Sequence, residues 1–407
     1  MTASTRSSRL RIIAAAALVS AAAAIVPAQA AAGSGERGGP LSQRELRQEA
    51  ERVLKKAGYV GVTVQVRDGR RLLRAAAGER ERGTGLPLDH RAGFRAASLT
   101  KSFTATVVLQ LAAEKKLSLD DTVERWLPGV VQGNGNDGSR VTLRHLLQHT
   151  SGIHNYDHAD DTGSSAEDFE RTRYDHHDPS ELVTGAMRHA PDFPPADPDD
   201  PAPDWNYSNP GYAALGMIIE KVTGASWDEQ VRDRLVRPLK LSGTYAPGDD
   251  PRLPGAYAHA YHQFAGTKRW VDVSERNVSM IGAAGELITT EKDADRFLTA
   301  LYGGRLLPPA QQAEMRRVVP VSADFQRVMP GLHYGLGAMR QPLSCGGYRW
   351  GHGGDVEGLT VRTAVSGDGR RSVVINATGK KDDDAWLLTA EKALQKLLDR
   401  TMCAPSR

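Results

Sequence analysis

Residues 42–56 place their apolar side chains on one helical stripe, with Ser42 as cap and Glu45 three positions on, a spacing that predicts an amphipathic helix. From residue 60 to 67 the period drops to two. Asp68-Gly69 then reads as a turn and residues 71–77 as a returning strand, which predicts a hairpin. Helical spacing resumes over 99–116, and helical patterns dominate to about residue 280. A late hairpin follows, with 359–365 and 371–377 flanking Gly367-Asp368-Gly369, and residues 383–399 read as a closing helix. Strands at both ends with helices between predict an α/β plus all-α architecture. An antiparallel sheet built from 31–97 and 285–407 is flanked by the terminal helices, a mainly helical domain (98–284) is inserted, and the cleft lies between them. Residues 157–204, rich in Asp, His and Pro, read as a long surface loop.

Composition changes this picture in three places. Residues 1–30 hold Arg6, Arg9 and Arg11, an apolar run over 12–26 and Ala28-Gln29-Ala30, the pattern of a cleavable signal peptide cut after Ala30. The run is shorter than the roughly 20 residues a membrane span needs, so a secreted protein without a membrane anchor is expected. Without that leader, 49 basic residues face 49 acidic ones, a balance that lacks the positive field nucleic acids or anionic lipid surfaces require. Cys345 and Cys403 are the two cysteines, and an oxidising compartment predicts one disulfide between them.

Candidate chemistry gathers in three short motifs. A serine hydroxyl needs a base, and in Ser98-Leu99-Thr100-Lys101 an amine three residues along a predicted helix faces the same side. Ser98 would sit at that helix's N-terminus, whose partial positive charge favours an anionic intermediate and a neutral Lys101. Tyr207-Ser208-Asn209 offers a phenol that can shuttle a proton and an amide that can hold a carbonyl; the same residues also read as a plain turn before a helix. Trp350-Gly351-His352-Gly353-Gly354 supplies an imidazole and then glycines that admit a substrate backbone, with His333-Tyr334-Gly335 as the rival H-x-G. Either histidine could instead be structural. His145 and His149 have metal-compatible spacing and His154, His158, His176 and His177 follow, yet no H-E-x-x-H pattern accompanies them and no metal or cofactor is expected.

In this order the three motifs resemble those of the penicillin-recognising serine hydrolases of the class C β-lactamase type, and within them the secreted D-alanyl-D-alanine carboxypeptidases. The segment Phe94-Arg95-Ala96-Ala97-Ser98-Leu99-Thr100-Lys101-Ser102-Phe103 is similar to their nucleophile region. Leu146-Leu147-Gln148-His149-Thr150-Ser151-Gly152, Gly282-Ala283-Ala284-Gly285 and Tyr334-Gly335-Leu336-Gly337 add agreement. The resemblance implies Ser98 as acylated nucleophile, Lys101 as general base, Tyr207 as proton relay and Asn209 as a ligand of the substrate carbonyl. His352 takes the place of the lysine in the β-lactamase K-T-G, substrate lies along Gly353, Gly354 and Asp355, and the Ser98 and Asp355 amides form the oxyanion hole. It also implies peptidoglycan-derived peptides, or small esters and amides, as substrates, and β-lactams as acylating inhibitors.

Three departures bear on the substrate. Gly353 and Asp355 stand where hydroxyls are expected to meet a terminal carboxylate, Arg340 falls one residue from the place of the matching cation, and Met280 replaces an aromatic. An esterase or a D-aminopeptidase on the same scaffold, or a binder of peptidoglycan or β-lactams that does not turn over, are the alternatives.

Overall fold

The computed structural model describes residues 40–155, 165–197, 200–255 and 257–405, and the expected signal peptide lies outside them. The β-branched run of Gly61–Asp68 forms the strand that ties both ends of the chain together. It pairs antiparallel with Arg71–Gly78 on one side and with Arg371–Thr378 on the other, in a register that sets Val64 opposite both Ala75 and Ile375. The sheet continues through Leu359–Val365, Tyr348–Gly351, Met339–Pro342, His333–Tyr334 and Val319–Pro320, and Gly354–Val356 folds back on Leu359–Val365 to complete nine antiparallel strands.

Both faces of this sheet are covered, which is why Thr63 and Gln65 are as buried as Val62 and Val64. On one face lie the two terminal helices. Gln43–Ala57 contributes Leu46, Ala50 and Val53, one helical stripe, and Asp384–Cys403 contributes Leu394, Leu397 and Leu398 to the same core. The first helix starts at the predicted capping box, with Glu45 N–H donating to Ser42 Oγ (3.2 Å) and Ser42 N–H to Glu45 Oε2 (2.8 Å), and ends at Gly58 in the left-handed region (φ 66°). The last helix runs one turn past the expected end. There Cys403 is bonded to Cys345 (Cα–Cα 5.7 Å), fastening the helix to the turn that precedes Tyr348–Gly351.

Against the opposite face packs Glu291–Tyr302, whose Asp295 accepts from Arg67 Nε (2.9 and 3.0 Å) and from Ser372. Phe297 of this helix stacks on Phe103 of Thr100–Ala113, ring centroids 3.6 Å apart. Thr100–Ala113 is buried almost all round rather than amphipathic, so its polar side chains must find partners inside the protein. Ser102 Oγ donates to Gly337 O (2.7 Å), Thr104 Oγ1 to Ala283 O (2.7 Å) and Thr106 Oγ1 to Ser102 O (2.6 Å). The first two of these bonds reach outside the helix and fix its rotation, and with it the direction of Lys101.

The expectation of a continuous surface loop over 157–204 is corrected: it contains the helices Ala166–Thr172 and Pro179–Ala186. Asp and Pro residues that read as loop composition act here at helix starts, together with Ser165. Ser165 Oγ accepts from Asp168 N–H (3.1 Å), Asp178 Oδ1 from Ser180 N–H (2.8 Å), and Pro179 opens the second helix. Phe169, Leu182, Val183 and Ala186 are buried beneath. Among the described residues no helix is long and apolar enough to cross a membrane.

Candidate active site

Strand Phe94–Arg95 leads into a 3-10 turn, Ala97–Leu99, before helix Thr100–Ala113 begins. Ala97 holds a left-handed conformation (φ 48°), a strain of about 1–3 kcal/mol at the residue that presents Ser98. Lys101 is fully buried, and its Nζ lies 2.7 Å from Asn209 Oδ1, 2.8 Å from Ala284 O and 3.3 Å from Ser98 Oγ. Burial pushes its pKa well below the ordinary lysine value. A neutral amine has two N–H groups and one lone pair. In that form the two carbonyl oxygens would take both donors and leave the lone pair for the Ser98 hydroxyl. The aromatic faces of Tyr207 and Tyr212 lie 4.6 and 5.3 Å from Nζ, an arrangement that favours a positive charge on it.

Tyr207 and Asn209 arrive from the helix Asn209–Thr223. Ser208 Oγ caps it by accepting from Gly211 N–H (3.2 Å), and Pro210 sits in its first turn. The plain reading of this motif holds, and the turn that starts the helix also aims both side chains into the cleft. Asn209 gives its oxygen to Lys101, leaving its amide N–H groups for a substrate carbonyl. Burial raises the Tyr207 phenol far above its usual pKa while its hydrogen bond with Ser98 pulls the other way, so it is a neutral donor beside the nucleophile.

His149 grips Tyr207 from both sides in sequence. Its carbonyl accepts from Asn206 N–H (3.2 Å), its Nδ1 from Ser208 N–H (3.2 Å), and its ring lies 4.3 Å from the Tyr207 ring. His149 is the left-handed cap (φ 65°) of helix Leu143–Gln148, so it does not share a helix face with His145, whose Nδ1 accepts from Thr142 N–H (3.2 Å).

His352 is buried. Its Nδ1 donates to Gly353 O (2.6 Å) and its Nε2 accepts from Tyr334 Oη–H (2.8 Å). Burial pushes its pKa down to about 3, the Gly353 carbonyl opposing this and Lys101 and Arg362 reinforcing it, so the ring is neutral at working pH. Thr363 Oγ1 donates to His352 O (2.8 Å) and accepts its N–H (3.0 Å), pinning the residue to the neighbouring strand. The rival His333 turns to Gly331 O (3.1 Å) and takes no part in lining the cleft. Tyr334 is the partner that motif spacing does not reveal; it appears in the sequence only inside the rival H-x-G and the Tyr334-Gly335-Leu336-Gly337 segment.

Gly354 lies against the nucleophile turn. A Cβ there would stand 2.7 Å from Ala96 O and 2.9 Å from Ser98 N, both backbone atoms. Gly354→Ala is therefore expected to lower kcat/KM about 100-fold through displacement of the Ser98 amide, measured by steady-state kinetics on protein shown by circular dichroism to be folded.

Ser98, Tyr207, Asn209, His352, Gly353, Gly354 and Asp355 line one cavity of about 230 Å³, with Lys101 bonded behind Ser98. A smaller recess of about 30 Å³ opens on the other side of Ser98 and Asn209, edged by Ala284, Asp355, Glu357 and Arg276. A protein-family model described as beta-lactamase matches residues 46–396. The chain belongs to the beta-lactamase family. It is 32% identical to penicillin-binding protein 4 of Amycolatopsis lactamdurans over 61% of this chain and 63% of that relative. It is 26% identical to penicillin-binding protein 4* of Bacillus subtilis (strain 168) over 77% of this chain and 66% of that relative, so it spans just under two thirds of the length of these curated relatives. Among solved structures it is similar to a D-stereospecific amidohydrolase from Streptomyces sp., at 40% identity and a TM-score of 0.75, covering 86% of this chain and 98% of that one.

Within this beta-lactamase family site, the three departures take physical form. Partial burial would raise the Asp355 pKa, but Arg362 and then Lys380 overturn that and hold the carboxyl below its usual range. Arg362 Nη1 lies at 2.8 Å and Lys380 Nζ at 3.3 Å, and Thr360 Oγ1 donates at 2.9 Å. The carboxylate is thus paired with two cations rather than standing in the cavity wall as a bare charge. Arg340 pairs with Trp350 across the sheet and lays its guanidinium over Tyr348 (4.5 Å), while its neighbour Met339 lines the cavity. Met280 is buried, its Sδ 3.1 Å from Arg276 Nη2, and lines neither opening.

Proposed function

We propose that the protein is an exported serine hydrolase that cleaves the amide bond on the carbonyl side of a D-amino acid through an acyl-enzyme on Ser98. The observation that carries this reading is the buried Lys101 Nζ, held 3.3 Å from Ser98 Oγ between two carbonyl acceptors, where burial favours the neutral amine. Lys101 Nζ takes the Ser98 proton as Oγ attacks the substrate carbonyl, and the oxyanion meets the N–H groups of Ser98 and Asp355. On collapse the C–N bond breaks. The Tyr207 phenol gives its proton to the departing amine and regains one from the Lys101 ammonium. Water then attacks the ester carbon, its proton passing back through the same pair, and the C–Oγ bond breaks to release the acid and restore Ser98. His352 moves no proton in this scheme: as a neutral ring bonded at both nitrogens it holds Tyr334 and the substrate-binding strand in place.

D-configuration is supported by the similar amidohydrolase, and cell-wall peptides as the natural substrate class by the similar penicillin-binding proteins. A D-alanyl-D-alanine carboxypeptidase is the narrower form of this activity, with β-lactams as acylating inhibitors. Hydrolysis of D- and L-phenylalanine amide, of D-alanyl-D-alanine peptides and of simple esters tests it. The D-amide is expected to exceed the L-amide by about 100-fold or more in kcat/KM, because an inverted centre would leave the polar groups around Asn209 unpaired. Equal rates for the two enantiomers, or a lasting β-lactam adduct with no hydrolysis of any amide, would contradict it.

A further inference from the structure

Tyr207 lines the larger cavity and not the smaller recess, so the amine that receives its proton departs into the larger one. Its lining includes the apolar side chains of Phe325, Met329 and Met339. Two strand positions beyond Gly351, about 7 Å along the sheet, stands Arg349, opposite Gln341 and only 7% exposed. Its Nη2 donates to Gln341 Oε1 and Gln395 Oε1, two uncharged acceptors, and among the described residues it makes no ion pair.

The acidic groups closest to Arg349 are committed elsewhere. Glu391 is held by Arg362 at 2.7 Å and by Gln395, and Asp399 accepts from the Ser344 amide at 2.8 Å and from its hydroxyl. Arg362 differs from Arg349 in having two carboxylates of its own, Asp355 and Glu391. A guanidinium stays protonated even when buried, and with Glu391 and Asp399 acting on this one only from a distance, a ligand carboxylate would be its one directly bonded counter-charge. Its planar fork matches a carboxylate.

We propose that Arg349 is the receptor for a carboxylate carried on the leaving group, at the end of a short apolar stem that lies against Met329 and Met339. This rests on the amide-hydrolase reading above and narrows it to peptides or ω-carboxy amides over simple amides. The test is calorimetric titration of Ser98→Ala protein, which binds without turnover, with D-phenylalanyl-4-aminobutyrate and with its C-terminal amide. The free carboxylate is expected to bind about 10- to 100-fold more tightly, with the preference shrinking as salt rises and falling to near one when Arg349→Gln is added. Equal binding of the two probes to Ser98→Ala overturns the proposal whether or not the Arg349 variant folds. A preference that survives Arg349→Gln removes Arg349 as the receptor. Parallel hydrolysis assays of the same probes by wild type keep the two readings apart. A binding preference without cleavage of either probe would retain the anion site and reject the amide hydrolase, whereas equal cleavage with equal binding would do the reverse.

Discussion

Ser98→Ala is expected to lower kcat/KM for D-phenylalanine amide by about 10⁴- to 10⁶-fold, with the loss in kcat rather than in KM. The hydroxyl is the atom that becomes acylated, and no other group stands at that point between Lys101 and Tyr207. A water molecule in its place would have to attack without the covalent step. Circular dichroism and thermal melting should match wild type, because the substitution deletes one oxygen whose contacts, Lys101 and Tyr207, belong to the site itself. Steady-state kinetics with a limit of detection near 10⁻⁵ of wild type checks the prediction. Retention of more than about one hundredth of the activity would reject Ser98 as nucleophile.

Lys101→Arg should cost about 10³-fold or more in the rate of acylation, since a guanidinium cannot give up a proton at any working pH and so has no lone pair to offer. Arginine is also larger, so Lys101→Met, which keeps the length without the amine, is the companion variant. Both should fail to acylate. The pH dependence of wild type carries the same claim without a mutation. Lys101 accepts a proton only when neutral, so acylation is lost as pH falls through its pKa and is full above it. Burial lowers that pKa, which sets the rising limb of kcat/KM well below the ordinary value of 10.5. His352, at about 3, contributes no limb in the neutral range. A limb centred at 10 or above would mean that Lys101 is an ordinary charged lysine and not the base.

Much of this arrangement is legible in the sequence, for reasons that differ from element to element. The capping box at Ser42 and Glu45 and the two hairpins are local chemistry, and local chemistry is written in adjacent residues. The S-x-x-K, Y-x-N and H-x-G motifs are likewise short, and Ser98, Tyr207, Asn209 and His352 line the same cavity, with Lys101 behind Ser98. The composition of 157–204 misleads because Asp and Pro serve loops and helix starts alike, and only the burial of Phe169 and Val183 decides between them. The cause of the lowered Lys101 pKa is also different from the expected helix end. Ser98 sits in the 3-10 turn before the helix, and it is the burial of Thr100–Ala113 on every side that desolvates the amine. Pairings between distant segments leave no trace in spacing. The Tyr334 bond to His352, the neutralisation of Asp355 by Arg362 and Lys380, and the bonds of Arg349 to Gln341 and Gln395 exist only once the fold brings these segments side by side.

The most direct test is to trap the covalent intermediate and map it. Wild-type protein mixed with a penicillin, and separately with D-phenylalanine methyl ester, is quenched in acid within seconds, weighed intact and digested for peptide mass spectrometry. The predicted result is a single added mass corresponding to the opened lactam or the D-phenylalanyl group, carried by the peptide that contains Ser98 and absent from Ser98→Ala. An adduct on another residue, or steady turnover of the ester with no adduct at any time point and no burst of its alcohol product, would contradict it.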